Sequence, residues 1–316
     1  MDDYFDRRNA GNAAPAPLLP PTPPQPPTPP PSDYEPIQIR VKVNGGNPTR
    51  HIDCDVPCLR SSGKGLQHTL TFEGAPWSMV QGMEGPQYYP NLRMPNVPEE
   101  NKFWSTTSMK SAIPMPYFSW AEYSIQDPAV EYDETIKGAS FIARNCGSKN
   151  DREGLVTGLQ DFFRVDSLSS CLHNAESRVG TKDKVLMMRQ YLFHLAFENQ
   201  CEDDYITEKL WLTLAAGTLP VYYGAPNIKE HVPAHSIIVA QDFESHAALG
   251  EYLTMLSRNQ TAYEEYHAWR KTPLPQWFVD KFAFTRTHSE CRVCRWAWAK
   301  FHGLQWDHAK QAIVDY

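Results

Sequence analysis

From residue 197 to 226 the chain reads FENQCEDDYITEKLWLTLAAGTLPVYYGAP. The residue types and spacing here could hold a nucleoside diphosphate. Glu208 is an acceptor-only group at neutral pH and suits the hydroxyls of a ribose or a sugar. Lys209, next to it, supplies a full positive charge. Asp203 or Asp204 is placed to cap a helix whose first turn carries Tyr205, Glu208 and Lys209. Such a helix start offers free backbone N–H groups and a positive partial charge to an anion. A Glu and a Lys decorating an ordinary first turn fit the same residues, so spacing alone leaves both readings open.

The elements that must position these residues are legible around them. Ile206, Leu210 and Leu214 recur every four residues and give the helix a buried face. Gly217 falls where a left-handed C-terminal cap is wanted, and 219–223 returns as a strand. The apolar run 191–197 predicts the strand that precedes the polar cluster. This strand–loop–helix–strand unit sets the cluster at the carboxyl end of a strand, where open parallel sheets bind ligands. Further strands are predicted over 139–143, 162–165 and 236–239, and helices over 151–159, 182–190, 205–216, 245–258 and 261–270. In 245–258, Leu249, Leu253 and Leu256 share one face. Alternating strands and helices argue an α/β fold with helices on both faces of a parallel sheet. Neither a GxGxxG nor a P-loop spacing occurs.

Upstream, residues 13–36 form a proline run that cannot build a packed core and favours an extended spacer. The folded part is expected to begin near Ile37, where IQIRVKV alternates as a half-buried strand would. Residues 44–98 read as short strands with long loops, 103–107 as a strand and 123–138 as a linker. At 316 residues and 41% hydrophobic the chain can bury a large core. Its net charge of -7 gives no basic field for nucleic acid. No run of about 20 apolar residues is present, and the first residues lack the apolar core of a secretory signal. Among seven cysteines, Cys54 with Cys58 and Cys291 with Cys294 form two close pairs, which suit disulfides or a four-thiolate zinc site. Cys146, Cys171 and Cys201 read as buried small apolar residues, with pairing among them left open.

The motifs FEN, DYITEK and AGTLPVYYGAPNI together resemble the donor-binding signature of the α1,3-fucosyltransferases. Thr106-Thr-Ser-Met-Lys-Ser with PYFSWAEY, FIARNCGSKNDR, and Val165-Asp-Ser with Cys171-Leu-His-Asn extend the likeness to the plant-type core enzymes of glycosyltransferase family 10. It runs over roughly residues 50–295 and rests on several ordered motifs.

The resemblance implies a GT-B-like fold of two Rossmann-like domains facing a cleft. Residues 37–135 would form the acceptor-side domain, 136–275 the GDP-fucose domain, and 276–316 a tail packing back on the first. It implies inverting transfer of L-fucose from GDP-fucose in α1,3 linkage to GlcNAc, with the innermost GlcNAc of an N-glycan as acceptor. Lewis-type transfer to an outer GlcNAc and a non-catalytic GDP-fucose or glycan-binding module remain alternatives. Asn145, Arg152, Asn199, Tyr205, Glu208 and Lys209 match donor-binding positions. Arg152 and Lys209 would neutralise the departing GDP, so no cofactor or divalent metal is expected to be required. Met83-Glu84-Gly85 resembles the family's Met-Glu-Ser segment and makes Glu84 the expected base. Arg144 stands where the family has Ser, and Ser111-Ala-Ile where it has Ser-Asp-Val. By the same analogy the two cysteine pairs form disulfides joining the first domain to the tail. Asn259-Gln-Thr261 is the one sequon whose middle residue is not proline. The implied compartment is the Golgi lumen, with membrane attachment through an anchor absent from this chain.

Overall fold

The computed structural model describes residues 41–44, 50–52, 68–84, 97–180 and 182–314. The expected proline-rich spacer, the start of the first predicted strand, Cys54 and Cys58 lie outside them.

Two five-stranded sheets organise the described chain. The first contains β1 (Val41–Asn44), β2 (Arg50–Ile52), β3 (His68–Phe72), β4 (Ser78–Gln81) and β5 (Lys102–Ser105), in the order β2-β1-β3-β4-β5. Its pairs are antiparallel except β4 with β5, which run parallel.

The second sheet is wholly parallel. It comprises β6 (Ile136–Phe141), β7 (Val165–Ser167), β8 (Tyr191–Phe197), β9 (Leu219–Tyr223) and β10 (Ile238–Val239), ordered β10-β9-β8-β6-β7. All seven residues of β8 are buried, as the central strand of a sheet covered on both faces must be. Side-chain alternation divides its two faces. Phe193, Leu195 and Phe197 join a core with Val156 and Leu159 of α1 (Arg152–Gln160) and the leucines of α4 (His246–Arg258). Ala196 and Tyr222 face the other way, against Leu210, Trp211 and Leu214 of α3 (Glu208–Ala216) and Phe278 of α6 (Gln276–Lys281). Burying each such side chain contributes about 2 kcal/mol.

Several boundaries differ from the sequence reading for local reasons. Strand β7 begins at Val165 rather than 162, because the amides of Phe162 and Phe163 bond back to the Leu159 carbonyl as α1 unwinds. Helix α2 (Lys184–Met188) is shorter than predicted, since the Asp183 carboxylate caps it by accepting from the Val185 and Leu186 amides. Helix α5 (Gln260–Glu265) ends early and gives way to a 3-10 turn at Ala268–Lys271. The sequence reading placed no helix beyond 270, yet α7 (Ser289–His302) follows α6. Its Val293, Trp296 and Ala297 cover Leu70, Phe72 and Met79 of the first sheet. A short hairpin, β11 (Trp306–Asp307) with β12 (Ala312–Ile313), ends the described chain.

Between the sheets, residues 106–130 form a strap tied by buried charge. The Arg292 guanidinium of α7 donates to the Pro114 carbonyl at 2.6 Å. Arg270 donates to the carbonyls of Ile125 and Asp127, and to Leu214 at the end of α3. The strap closes where the Val130 amide donates to Gly217 O at 2.9 Å. Gly217 holds φ +74 as the predicted cap, and a Cβ there would meet Pro128 O at 2.3 Å. Glycine is required on both counts.

Candidate active site

The carboxyl end of β8 and the start of α3 form the centre of the site. Glu198 directly follows the last residue of β8, and its carboxylate is 0% exposed. Its Oε1 accepts from the Thr207 amide at 2.6 Å. Its Oε2 accepts from the Thr207 hydroxyl at 2.7 Å and from Lys209 Nζ at 3.1 Å. Helix α3 starts at Glu208, three residues later than predicted, with Thr207 rather than Asp203 or Asp204 as its N-cap. Glu208 and Lys209 therefore occupy the first two helical positions, where backbone N–H groups lack intrahelical partners.

Electrostatics of the cluster follow from burial and pairing. Desolvation alone would lower the Lys209 pKa, but the Glu198 and Glu208 carboxylates outweigh it and hold the ammonium above the ordinary lysine value. The Glu198 carboxyl is shifted upward by burial, although Lys209 and Thr207 pull it back. Lys209 Nζ also lies 3.8 Å from Glu208 Oε1 and donates to the Thr207 hydroxyl at 2.7 Å.

The chain before β5 reaches into the same place. The Tyr205 hydroxyl, on a side chain almost wholly buried, donates to Glu84 Oε2 at 2.8 Å. Tyr117 of the strap sets its ring edge-on to Tyr205, with centroids 6.4 Å apart. Burial raises both phenols far above their usual range. Glu208, Glu84 and Glu198 add to the effect on Tyr117, and Tyr117, Glu198 and Glu84 to that on Tyr205. Both hydroxyls are thus neutral and able to donate.

Arg152 opens α1 under the strand ends and is 2% exposed. It donates to Phe197 O at 3.0 Å, Asn145 O at 2.8 Å and Glu153 Oε1 at 3.2 Å. The exposed loop carrying Asn145 is pinned by a disulfide between Cys146 and Cys171. Of the two readings open for those cysteines, buried apolar residues or a pair, the structure takes the pair. The Asn145 side chain accepts from the Gly147 amide at 2.8 Å, and Arg144 is exposed. Asn199 follows Glu198, and its carbonyl accepts from the Lys149 amide at 2.8 Å. Glu84, Tyr205, Glu208 and Lys209 are brought together, with Arg152 near enough to influence the Lys209 charge. Asn145 and Asn199 sit on the loops framing them.

Asp204 does something the sequence reading missed. Rather than capping α3, it adopts φ +64 and turns its carboxylate to the junction between the sheets. There it accepts from the Met109 amide at 2.8 Å, the Ser108 hydroxyl at 3.3 Å and Asn227 Nδ2 at 2.9 Å, and lies 3.0 Å from His231 Nε2. Burial works against the charge, but His231, Met109 and Asn227 hold this carboxyl far below the usual carboxylate range. Glu198 and Thr207 were likewise overlooked as functional residues. The available signal was a carboxylate placed immediately after a strand that is apolar but for His194.

Elsewhere, Cys291 and Cys294 are each disulfide-bonded, which removes both as zinc thiolates. Asn259 is exposed and caps α5 by accepting from the Ala262 amide. Among the described residues no helix is long and apolar enough to cross a membrane, and no group of three or more His, Cys, Asp or Glu could hold a metal ion.

Comparison with known proteins gives this geometry a lineage. The family model described as "Glycosyltransferase family 10 (fucosyltransferase) C-term" matches residues 132–305, more than half of the chain. A fucosyltransferase-like protein of Arabidopsis thaliana is 33% identical over 248 residues, covering 76% of this chain and 48% of its own. GDP-fucose protein O-fucosyltransferase 3 of Danio rerio is 33% identical, covering 54% of this chain and 42% of its own. The α-(1,3)-fucosyltransferase fut-1 of Caenorhabditis elegans is 33% identical, covering 52% and 39%. The chain thus spans about half, or less, of the length of these relatives. A crystal structure of an α1,3-fucosyltransferase with GDP aligns at 20% identity over 58% of this chain and 49% of that one, with a TM-score of 0.43.

Proposed function

This chain belongs to glycosyltransferase family 10, and from that premise we propose that it transfers L-fucose from GDP-fucose to an acceptor hydroxyl with inversion at the sugar carbon. The observation that carries the reading is the Tyr205–Glu84 hydrogen bond. It sets a carboxylate from the chain just after β4 against Tyr205, three residues before the Glu208–Lys209 helix start. Glu84 removes the acceptor hydroxyl's proton as the oxygen bonds to the fucose anomeric carbon. The bond from that carbon to the β-phosphate oxygen breaks, and GDP leaves with the electron pair. Lys209, Arg152 and the positive end of the α3 dipole offset its growing charge, so no divalent metal is required. Glu208, Asn145 and Asn199 meet the donor's hydroxyls and phosphates.

The acceptor we propose is the 3-hydroxyl of the innermost GlcNAc of an N-glycan, in the Golgi lumen. A second reading, transfer to a protein side-chain hydroxyl, is supported by the several relatives of that activity at 33–36% identity. Incubation with GDP-fucose and either N-glycan or folded protein acceptors, followed by linkage determination, distinguishes the two. Glu84→Gln is expected to lower turnover by about 10²–10⁴-fold with donor binding intact. Near-normal turnover would remove Glu84 as the base, and GDP-fucose binding without transfer to any acceptor would make the chain a binding module.

A further inference from the structure

We infer that Glu198 is a positioning residue for the donor site: its buried carboxylate fixes the Lys209 ammonium, charged, at the start of α3. The inference rests on the donor-site reading above and assigns the helix-facing carboxylate a task in it.

A fully buried carboxylate is costly, and a well-packed apolar residue in its place is often neutral or stabilising. Fold stability alone therefore does not account for an acid immediately after seven buried residues of β8. Nor is the side chain free to relax. Both oxygens are committed to Thr207 and Lys209, and Gly224 packs so closely that a Cβ there would lie 2.6 Å from Glu198 Cγ. The Thr207 hydroxyl completes a closed triangle, donating to Glu198 and accepting from Lys209 at 2.7 Å. Two of the three ammonium N–H groups are thereby committed to Glu198 and Thr207, with Glu208 Oε1 3.8 Å away. The Lys209 side chain is 22% exposed, so the charge is sheltered but reachable.

The charged groups facing Lys209 are Glu198 from β8, Glu208 from its own helix and Arg152 from α1. The nearby phenols Tyr117, Tyr205 and Tyr222 are neutral. Without Glu198 the ammonium would keep only the more distant Glu208 as counter-ion and would face Arg152. A sheltered lysine so placed loses its proton more readily. A carboxylate that merely capped the helix would leave no such signature.

Calorimetric binding of GDP to the full chain between pH 6.5 and 9.5 tests this, each variant being referred to the wild type at the same pH. For Glu198→Gln, affinity is expected to stay within a few-fold of wild type at pH 6.5. It then falls about tenfold per pH unit once Lys209 loses its proton. Adding Lys209→Arg should flatten that fall, because a guanidinium stays charged throughout. A Glu198→Gln profile parallel to wild type would overturn the inference. The donor-site reading fails separately, if wild type does not bind GDP or if Lys209→Ala binds it unchanged. Should Glu198→Gln not fold, NMR titration of the Lys209 ε-methylene in wild type decides. A midpoint above the free lysine value supports the inference, and one at or below it overturns the inference.

Discussion

Tyr205 and Glu84 show how single residues acquire a role from their neighbours. A glutamate in a loop is ordinarily solvated. Here one oxygen receives a hydroxyl bond from the buried side chain of Tyr205. A hydrogen bond to a charged group is worth about 1.5–3 kcal/mol, which converts to roughly 10–100-fold in rate if it serves the reacting geometry. Tyr205→Phe should lower kcat by that range while leaving the apolar contact with Tyr117 in place. Steady-state kinetics checks this, and an unchanged kcat would reduce the bond to packing. The Glu198–Lys209 pair belongs to the same scale, since charge and direction there depend on atoms a few ångströms apart.

At the scale of elements, the site exists because β8, β9 and α3 meet at one edge. Strand β8 delivers Glu198, α3 delivers Glu208 and Lys209, and β9 ends at Tyr223 with Gly224 leaning on Glu198. A Cβ at 224 would also come within 2.6 Å of the Tyr222 hydroxyl, which accepts from the Ala225 amide at 2.9 Å. Gly224→Ala must therefore displace the carboxylate or the turn. We expect GDP affinity to fall at least tenfold and stability to drop by about 1–3 kcal/mol, as overpacking does. Calorimetry and thermal unfolding measure the two effects. Unchanged values would mean that the turn yields freely.

At the scale of the molecule, the two sheets are joined by buried polar ties as well as by apolar packing. Arg292 and Arg270 hold the strap, and Asp204 binds the 108–109 turn to Asn227 and His231. The Asp204 carboxyl titrates far lower in the folded chain than the ordinary value near 3.9. The unfolded chain consequently binds the proton first. The contribution of Asp204 is complete above about pH 4 and is lost as pH falls further. Asp204→Asn should cost about 2 kcal/mol at pH 7, a deficit that narrows below pH 4. Denaturant unfolding at both pH values checks this, and a deficit independent of pH would show that charge plays no part.

What the sequence alone determined was local. The run 191–197, the strand 219–223, the leucine face of 245–258 and the Gly217 cap came through because each is set by periodicity or by one residue's backbone freedom. The ordered motifs named the family, which the match over residues 132–305 shows. Only the tertiary structure decided that Thr207, not an aspartate, caps α3, and that Asp204 spans the junction. Its carboxylate found stronger donors across space than the helix offered along the chain. Which cysteines pair, Cys146 with Cys171, and the burial of Glu198 against Lys209 were equally beyond spacing. Such contacts depend on which strand ends meet, and that is fixed by the packing of the whole sheet rather than by spacing in the chain.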